Sequence, residues 1–206
     1  MMLAMATNPG QEKFNDWAHS YDRSLLQRLL FEPVHDAVLG AFTELSVTPH
    51  DVLDVGCGTG RLLESAAARW KDARLTGVDA SSEMVTEARR KHEADSRFVF
   101  AQGDASQLPV DSDACDAVLS TLSFHHWGDQ AAGIREVARV LRPAGRFVLA
   151  DVDAPFPSLL RSMMNWTNLQ GPKAIQRLLE QAGLSIVKHR RFWRLLRIQL
   201  FVAEKC

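Results

Sequence analysis

A glycine-rich segment directly follows a short apolar run in the first third of the chain. Gly56, Gly58 and Gly60 stand at every second position, and the run Val52 to Val55 before them has the composition of a buried parallel strand. Because glycine has no Cβ, the backbone can turn sharply here and a ligand can lie against it. An acid, Asp54, stands just ahead of the turn. The segment predicts a ligand site at a strand end, where open α/β sheets bind ligands.

The spacing of these glycines bears on which ligand is bound. In the dinucleotide motif Gly-x-Gly-x-x-Gly, counted from Gly56, the third glycine falls at position 61, which is Arg61 in this chain. The chain has that glycine one position earlier, at Gly60. The spacing therefore argues against an NAD(P)-binding oxidoreductase, which we keep as a minor alternative.

Two further acids follow predicted strands. Asp79 ends the run that starts at Arg74, and Asp104 follows Phe98 to Phe100. A carboxylate at the end of the second strand can accept hydrogen bonds from both ribose hydroxyls. Asp79 therefore predicts a nucleoside ligand, although it suits several nucleoside cofactors equally. Helix capping or surface charge is the alternative role for both acids.

Two adjacent histidines follow the fourth predicted strand, Cys115 to Ser120. Histidine is the side chain best suited to proton transfer near neutral pH, so His125 or His126 is a candidate general base. Alternatively, this stretch and the following Trp127 line a pocket or pack on the next helix.

Alternating strands and helices must position these residues. Before the first strand, the apolar pattern predicts one or two helices that are broken or kinked at Pro33. A late helix is predicted from Pro172 at its start to Gly183 at its stop. Two β-like runs, Leu184 to His189 and Leu195 to Ala203, then predict a closing antiparallel hairpin.

From about Phe14 to Leu149, these segments resemble class I S-adenosylmethionine (SAM) methyltransferases, in particular small-molecule enzymes of the ubiquinone/menaquinone C-methyltransferase type. The motifs that carry the resemblance are Asp54-Val55-Gly56-Cys57-Gly58-Thr59-Gly60, the acid Asp79, Gln102-Gly103-Asp104-Ala105, Ser123-Phe124-His125-His126-Trp127 and Arg142-Pro143-Ala144-Gly145. The resemblance implies a Rossmann-like α/β fold with helices on both faces of a seven-stranded, mostly parallel sheet. The implied strand order is 3-2-1-4-5-7-6, with the last strand antiparallel. The implied cofactor is SAM, and S-adenosylhomocysteine is its product.

Cofactor roles are implied residue by residue. The three glycines would admit the methionine portion, Asp54 would shape the turn and Asp79 would bind the ribose. Asp104 would accept a hydrogen bond from the adenine amino group. The remaining implied contacts are the Ala105 amide to the adenine ring, Met84 on an adenine face, the Ser120 carbonyl to the ammonium group, and Tyr21 closing over the cofactor.

Substrate contacts are expected from two segments rich in large side chains. Phe14, Trp17 and Tyr21 lie at helical spacing, and they either pack this helix on the body or close over cofactor and substrate as in relatives. The segment 153–171 contains Met163 and Trp166, which would suit an apolar or aromatic acceptor, or would pack a short helix. The substrate candidates are Phe14, Trp17, His125, Trp127, Met163 and Trp166.

Composition indicates a globular protein with one core. With 206 residues, of which 46% are hydrophobic and 24% are charged, we expect a single domain over 1–206, with a mobile tail at 1–11 and a helical lid at 12–45. The three scattered cysteines form neither a disulfide framework nor a metal spacing, which favours a cytoplasmic protein without a metal. No stretch approaches the roughly 20 apolar residues of a membrane span.

The end of the chain is basic. Residues 167–206 contain eight Lys or Arg against two Asp or Glu, and the basic cluster comprises Lys188, Arg190, Arg191, Arg194 and Arg197. We expect a solvated hairpin, because alternate strand residues divide these charges between two faces. Weak contact with an anionic membrane is the alternative, and no nucleic-acid partner is expected.

The favoured function is transfer of a methyl group from SAM to an O, N or C atom of a small apolar or aromatic acceptor. The first alternative is methylation of a quinone or a phospholipid headgroup at a membrane surface. A non-catalytic SAM-binding module is the remaining alternative. The sequence does not indicate an oligomeric state.

Overall fold

A computed structural model describes residues 25–153, 168–193 and 196–206, with side chains from residue 31 onward. The helices are α1 Leu25–Glu44, α2 Arg61–Arg69, α3 Ser82–His92, α4 Gln130–Val140 and α5 Pro172–Gln181, and a 3-10 helix spans Phe124–His126. The strands are β1 Asp51–Val55, β2 Arg74–Asp79, β3 Phe98–Gln102, β4 Cys115–Thr121, β5 Leu141–Val152, β6 Leu184–Trp193 and β7 Arg197–Lys205. The predictions for the tail 1–11, the first part of the lid, Arg194 and most of segment 153–171 lie outside the described residues, as do those for Phe14, Trp17, Tyr21, Met163 and Trp166.

All seven strands form one sheet in the order β3-β2-β1-β4-β5-β7-β6. Strands β1 to β5 pair in parallel, whereas β7 lies antiparallel between β5 and β6. The predicted strand order and the antiparallel last strand are therefore confirmed. Because β1 lies between β2 and β4, the carboxyl ends of these three strands meet at one edge of the sheet.

Apolar side chains cover both faces of the sheet. On one face, residues of α1, α2 and α3 pack on alternate residues of the strands, for example Phe42 and Leu63 against Leu75. On the other face, α4 and α5 pack against the strand residues that point the opposite way. Ile134 of α4, Ile175 of α5 and Phe147 of β5 belong to this second apolar cluster. In β1, Val52 belongs to the first face and Leu53 to the second, which puts Asp54 on the face of α1 and α2.

Local signals explain where the helices begin and end. The Ser81 hydroxyl accepts a hydrogen bond from the Met84 amide and so caps α3. Pro172 starts α5, and Gly183 ends it with a positive φ of 78°. Helix α1, in contrast, is one helix of 20 residues that runs through Pro33. Of the predicted alternatives, a single helix is therefore correct and a break at this proline is wrong, because the buried face continues past it through Val34 and Val38, while a kink stays a prediction.

The basic hairpin is formed by β6 and β7. As predicted, its charges divide between two faces: Lys188 and Arg190 lie with Glu44 of α1, whereas Arg191 and Arg197 lie with Asp153. Among the helices of the described residues, none is both long and apolar enough to cross a bilayer.

Candidate active site

The glycine turn after β1 is shaped by hydrogen bonds to the neighbouring strand. The Gly56 amide donates to the Val78 carbonyl at 2.8 Å, and Gly56 has a φ of +77°. A Cβ on Gly56 would lie 2.3 Å from the Ser123 hydroxyl, so that no side chain fits there. A Cβ on Gly58, in contrast, would meet no atom of the described residues within 4 Å. Gly56 is therefore required by packing, while Gly58 borders the open space in which a ligand can lie.

Asp79 closes this turn from the end of β2. One carboxylate oxygen accepts a hydrogen bond from the Gly58 amide at 2.8 Å, and the other accepts one from the Ser81 amide at 2.9 Å. Burial raises the pKa of the Asp79 carboxyl, while these amides lower it. Because a carboxylate offers about four acceptor positions, Asp79 can accept a hydrogen bond from a ligand hydroxyl in addition to those from the amides. This capacity fits the predicted ribose contact.

Asp54 lies below the turn and is 1% exposed. Burial, and then the nearby charge of Asp79, raises the pKa of the Asp54 carboxyl to about 8. Its Oδ1 atom has no hydrogen-bond partner within the described residues. Burial and the same two acids also raise the pKa of the Cys57 thiol. The turn thus lies between two carboxyl groups.

The charge of this site selects among nucleoside ligands. Over residues 31–153, 168–193 and 196–206, no ion pair joins Asp54 or Asp79 to a Lys, Arg or His side chain. The buried Asp54 and the partly buried Asp79, with no cation paired to either, disfavour a diphosphate and favour a positively charged ligand. A cofactor with a sulfonium and an ammonium group supplies that charge, whereas a dinucleotide does not.

The predicted adenine contacts lie beside this turn. Asp104 is exposed, and its Oδ1 accepts hydrogen bonds from the Ser106 amide at 2.8 Å and the Ser106 hydroxyl at 2.6 Å. These contacts organise the loop that contains Ala105. Met84 is buried in the first turn of α3. The adenine contacts of all three residues remain predictions.

Ser120, at the end of β4, is fully buried and its hydroxyl lies 2.9 Å from that of Ser123. Ser123 in turn donates to the Val55 carbonyl at 3.0 Å. This chain of contacts joins the end of β4 to the end of β1, beside the glycine turn. The predicted role of the Ser120 carbonyl towards an ammonium group remains a prediction.

His125 forms a two-point contact with Asp151 of β5. The His125 amide donates to Asp151 Oδ2 at 2.9 Å, and the ring Nδ1 lies 2.7 Å from Asp151 Oδ1. The Val152 amide also donates to Oδ1 at 2.8 Å, and an ionised carboxylate can only accept hydrogen bonds. Nδ1 therefore carries the proton of the neutral ring, and Nε2 is the basic nitrogen. His125 and Asp151 are 4% and 2% exposed.

His126 differs from its neighbour in its electrostatics. Its ring lies 4.0 Å from the His125 ring, and burial, followed by the repulsion of His125, lowers the pKa of His126 to about 4. A group with so low a pKa is a weak base near neutral pH. The predicted catalytic role therefore does not suit His126, whereas the contact with Asp151 orients His125 for such a role.

Trp127 lies in the core. It is 6% exposed and packs edge-to-face on Phe124, with ring centroids 5.1 Å apart. Its ring also lies directly against Gly133, where a Cβ atom would clash with the indole. The packing alternative for this residue thus agrees with its environment, and a substrate contact is left as a prediction.

Two residues of the site were not identified from the sequence. Asp151 lies near the end of the apolar strand β5, and an acid at a strand end could have marked it as a candidate site residue. Ser123 was recognised only as part of a motif, and its contact with the glycine turn has no local signature because Ser123 and Val55 are 68 residues apart.

Comparison with known proteins agrees with this geometry. Residues 52–145 match the model of a methyltransferase domain family. The demethylmenaquinone methyltransferase of Clavibacter sepedonicus is 31% identical over 166 residues, which are 78% of this chain and 66% of the relative. An O-methyltransferase of Pyrenophora dematioidea is 33% identical over 150 residues, which are 66% of this chain and 55% of the relative. The chain thus spans between about half and two thirds of the length of such relatives.

Solved structures share the fold. A SAM-dependent methyltransferase from Aquifex aeolicus superposes with a TM-score of 0.73 at 18% identity, covering 93% of this chain and 98% of that one. A Haloferax volcanii protein solved in complex with the Trm112 methyltransferase activator gives 0.74 at 22% identity, covering 93% and 97%. With the glycine turn, its two acids and the strand order, these matches identify the chain as a member of the class I SAM-dependent methyltransferases.

Proposed function

We propose that this protein transfers a methyl group from SAM to a small acceptor molecule. The observation that carries the proposal is the glycine turn beside Asp54, which is fully buried, and Asp79, which is partly buried, neither of which has an ion-pair partner among the described residues. A cationic nucleoside fits this site in charge and in its sugar contacts. When bound, SAM supplies an activated methyl group on a sulfonium, whose displacement requires chiefly that the reacting atoms be held in line.

His125 is the proposed general base. Asp151 orients the ring through Nδ1, so that Nε2 takes the proton that the acceptor loses as it is methylated. The ionised Asp151 also stabilises the imidazolium that results, as in other His–Asp pairs. Both residues lie at the carboxyl ends of β4 and β5, beside the strand whose end carries the glycine turn.

A base is useful only if the acceptor atom carries a proton of high pKa. The His125–Asp151 pair therefore favours a hydroxyl group or an acidic carbon over a tertiary amine as the acceptor. We propose that the acceptor is apolar or aromatic, because the segment 153–171 supplies large apolar side chains in sequence.

The experiment that tests the proposal is a screen of metabolite extracts with SAM labelled in its methyl group. We expect S-adenosylhomocysteine and a labelled product of mass higher by one methyl group. The His125→Gln protein should bind SAM equally well but form the product more slowly. SAM binding without turnover on any extract would instead support a non-catalytic binding module.

A quinone is the second candidate acceptor, and the observation that favours it is the match to two relatives named demethylmenaquinone methyltransferase. The membrane contact that such a substrate suggests receives less support. Glu44 pairs with Lys188 and Arg190, and Asp153 pairs with Arg191 and Arg197. We propose a cytoplasmic protein whose partner is the small-molecule substrate. Binding to anionic vesicles that weakens as salt rises would favour the membrane-surface alternative.

A further inference from the structure

The two acids beside the glycine turn differ in how their oxygens are satisfied. Asp79 accepts hydrogen bonds from the Gly58 and Ser81 amides, which stabilise its ionised form. Asp54 is more deeply buried, and its Oδ1 lacks a partner among the residues described. An ionised carboxylate in such a position loses its hydration without a compensating hydrogen bond. Of the two acids, Asp54 is therefore the one that is protonated more readily.

Within the part of the chain that the structure describes, the other titratable groups around Asp54 do not supply a positive charge. Asp79 faces it from β2, and the Cys57 thiol faces it from the turn, with a pKa raised by burial and by both acids. On the helices that cover this face, Arg61, Glu32 and His35 interact with one another, and Arg61 and Glu32 form an ion pair of 3.5 Å. The cation that would favour ionised Asp54 must come from outside this group.

Building on the proposed function, we propose that Asp54 holds a proton while the cleft is empty and releases it when the cationic cofactor binds. The bond that breaks is the carboxyl O–H of Asp54, and the proton passes to the buffer. The positive charge of the bound SAM replaces the charge of the lost proton. Cofactor binding is thereby coupled to pH through a residue that the sequence assigns only to the shape of the turn.

The coupling has a definite sign. In the free protein, burial and the charge of Asp79 raise the pKa of the Asp54 carboxyl to about 8, so that this carboxyl is protonated in most molecules at pH 7. Because SAM binds the ionised form better, affinity rises with pH by up to about tenfold per unit below the pKa of the free protein and levels off above it. The SAM complex forms most tightly in mildly alkaline solution.

The test is titration calorimetry of SAM into the full-length protein in several buffers of different ionisation enthalpy. At pH 7 we expect release of close to one proton per SAM bound, because one carboxyl group is linked. The Asp54→Asn protein should release correspondingly less. Its affinity should match that of the unaltered protein within about twofold at pH 6 and fall about tenfold or more below it at pH 8.5, since the amide mimics only the protonated carboxyl.

Two controls keep the result specific. The exposed Asp111→Asn protein should behave as the unaltered protein does, and the α-amino group of SAM, which titrates in the same range, contributes equally to all three proteins. If the Asp54→Asn protein does not fold, infrared difference spectra of the unaltered protein give the same answer. Addition of SAM should remove the band of one protonated carboxyl group.

The outcomes separate the two proposals. SAM binding with equal proton release in the unaltered and Asp54→Asn proteins, or with no change in the carboxyl band, overturns the coupling and leaves the methyltransferase proposal standing. If SAM does not bind at any pH, both proposals fail.

Discussion

Asp151 binds His125 at two points, through the backbone amide at 2.9 Å and through ring Nδ1 at 2.7 Å. A carboxylate that holds both the main chain and the ring fixes the position as well as the tautomer of the histidine. The strand pairing of β4 with β5 brings the two residues together, although they are 26 positions apart in sequence. The contact between Asp151 and His125 therefore depends on β4 and β5 being neighbours in the sheet.

Replacement of His125 should separate catalysis from cofactor binding. We expect the His125→Gln protein to lose about 10²- to 10⁴-fold in kcat, the usual contribution of a general base, with SAM affinity unchanged. The matched control is His126→Gln, whose kcat should fall by less than about tenfold because a group with a pKa of about 4 is a weak base. Steady-state kinetics with the acceptor found in the screen measures both, and equal losses would contradict the assignment.

Replacement of Asp151 should act through His125. In the Asp151→Asn protein the amide can hold the wrong tautomer of the ring, so kcat should fall by at least about 100-fold, with a smaller effect on SAM binding. The dependence of kcat on pH should change as well, because the carboxylate no longer stabilises the imidazolium. A protein with normal kcat and an unchanged pH profile would show that Asp151 has only a structural role.

Replacement of Asp79 should weaken cofactor binding. The Asp79→Ala protein loses the acceptors for the Gly58 and Ser81 amides together with the predicted ribose contacts, so SAM affinity should fall by about tenfold or more. Calorimetry of SAM binding measures the change, with Asp111→Ala as the exposed control. If Asp79→Ala bound SAM as tightly as the control, the proposed sugar site would be wrong.

Two glycines of the turn should respond differently to alanine. Gly56→Ala forces a Cβ to within 2.3 Å of the Ser123 hydroxyl, and it should lower the free energy of unfolding by more than the roughly 1–2 kcal/mol cost of a left-handed residue. Gly58→Ala meets no such clash and should cost only about that amount, while reducing SAM affinity because the methyl group enters the cleft. Denaturant unfolding and calorimetry separate the two effects. Equal destabilisation by both substitutions would contradict the packing argument.

Acid should destabilise the protein through His35. This histidine is buried in α1, and burial, followed by Arg61, lowers its pKa from 6.5 to about 4. The unfolded state then binds the proton more tightly, so the stability present above pH 6.5 falls towards pH 4, by up to about 1.4 kcal/mol per pH unit. Urea unfolding at several pH values should show a shallower fall for His35→Gln than for the exposed control His50→Gln. The comparison between variants is needed because Asp54, whose pKa is raised, changes stability in the opposite direction as pH falls.

The sheet and the position of the glycine turn beside Asp79 could be predicted because their signals are local. The turn after β1 is marked by three glycines, and Asp79 closes a strand whose length and position follow from its apolar pattern. Such features require only the type of residue and its distance along the chain. The strand order then followed from the resemblance to a known family.

The other half of the site could not be predicted in this way. That Asp151 holds His125 depends on which strands are neighbours, and which of its two predicted roles Trp127 takes depends on the close approach of Gly133. The continuity of α1 through Pro33 depends on the apolar face that continues beyond it. Each of these is decided by packing between distant segments, which local patterns do not contain.

The hydrogen bond from Gly58 to Asp79 gives one carboxylate two tasks, since the group that would recognise the sugar also fixes the conformation of the loop. A preformed loop loses little conformational entropy when a ligand arrives. For enzyme engineering, this means that cofactor preference cannot be retuned at Asp79 without loosening the loop, and that changes bordering Gly58 offer the safer starting point.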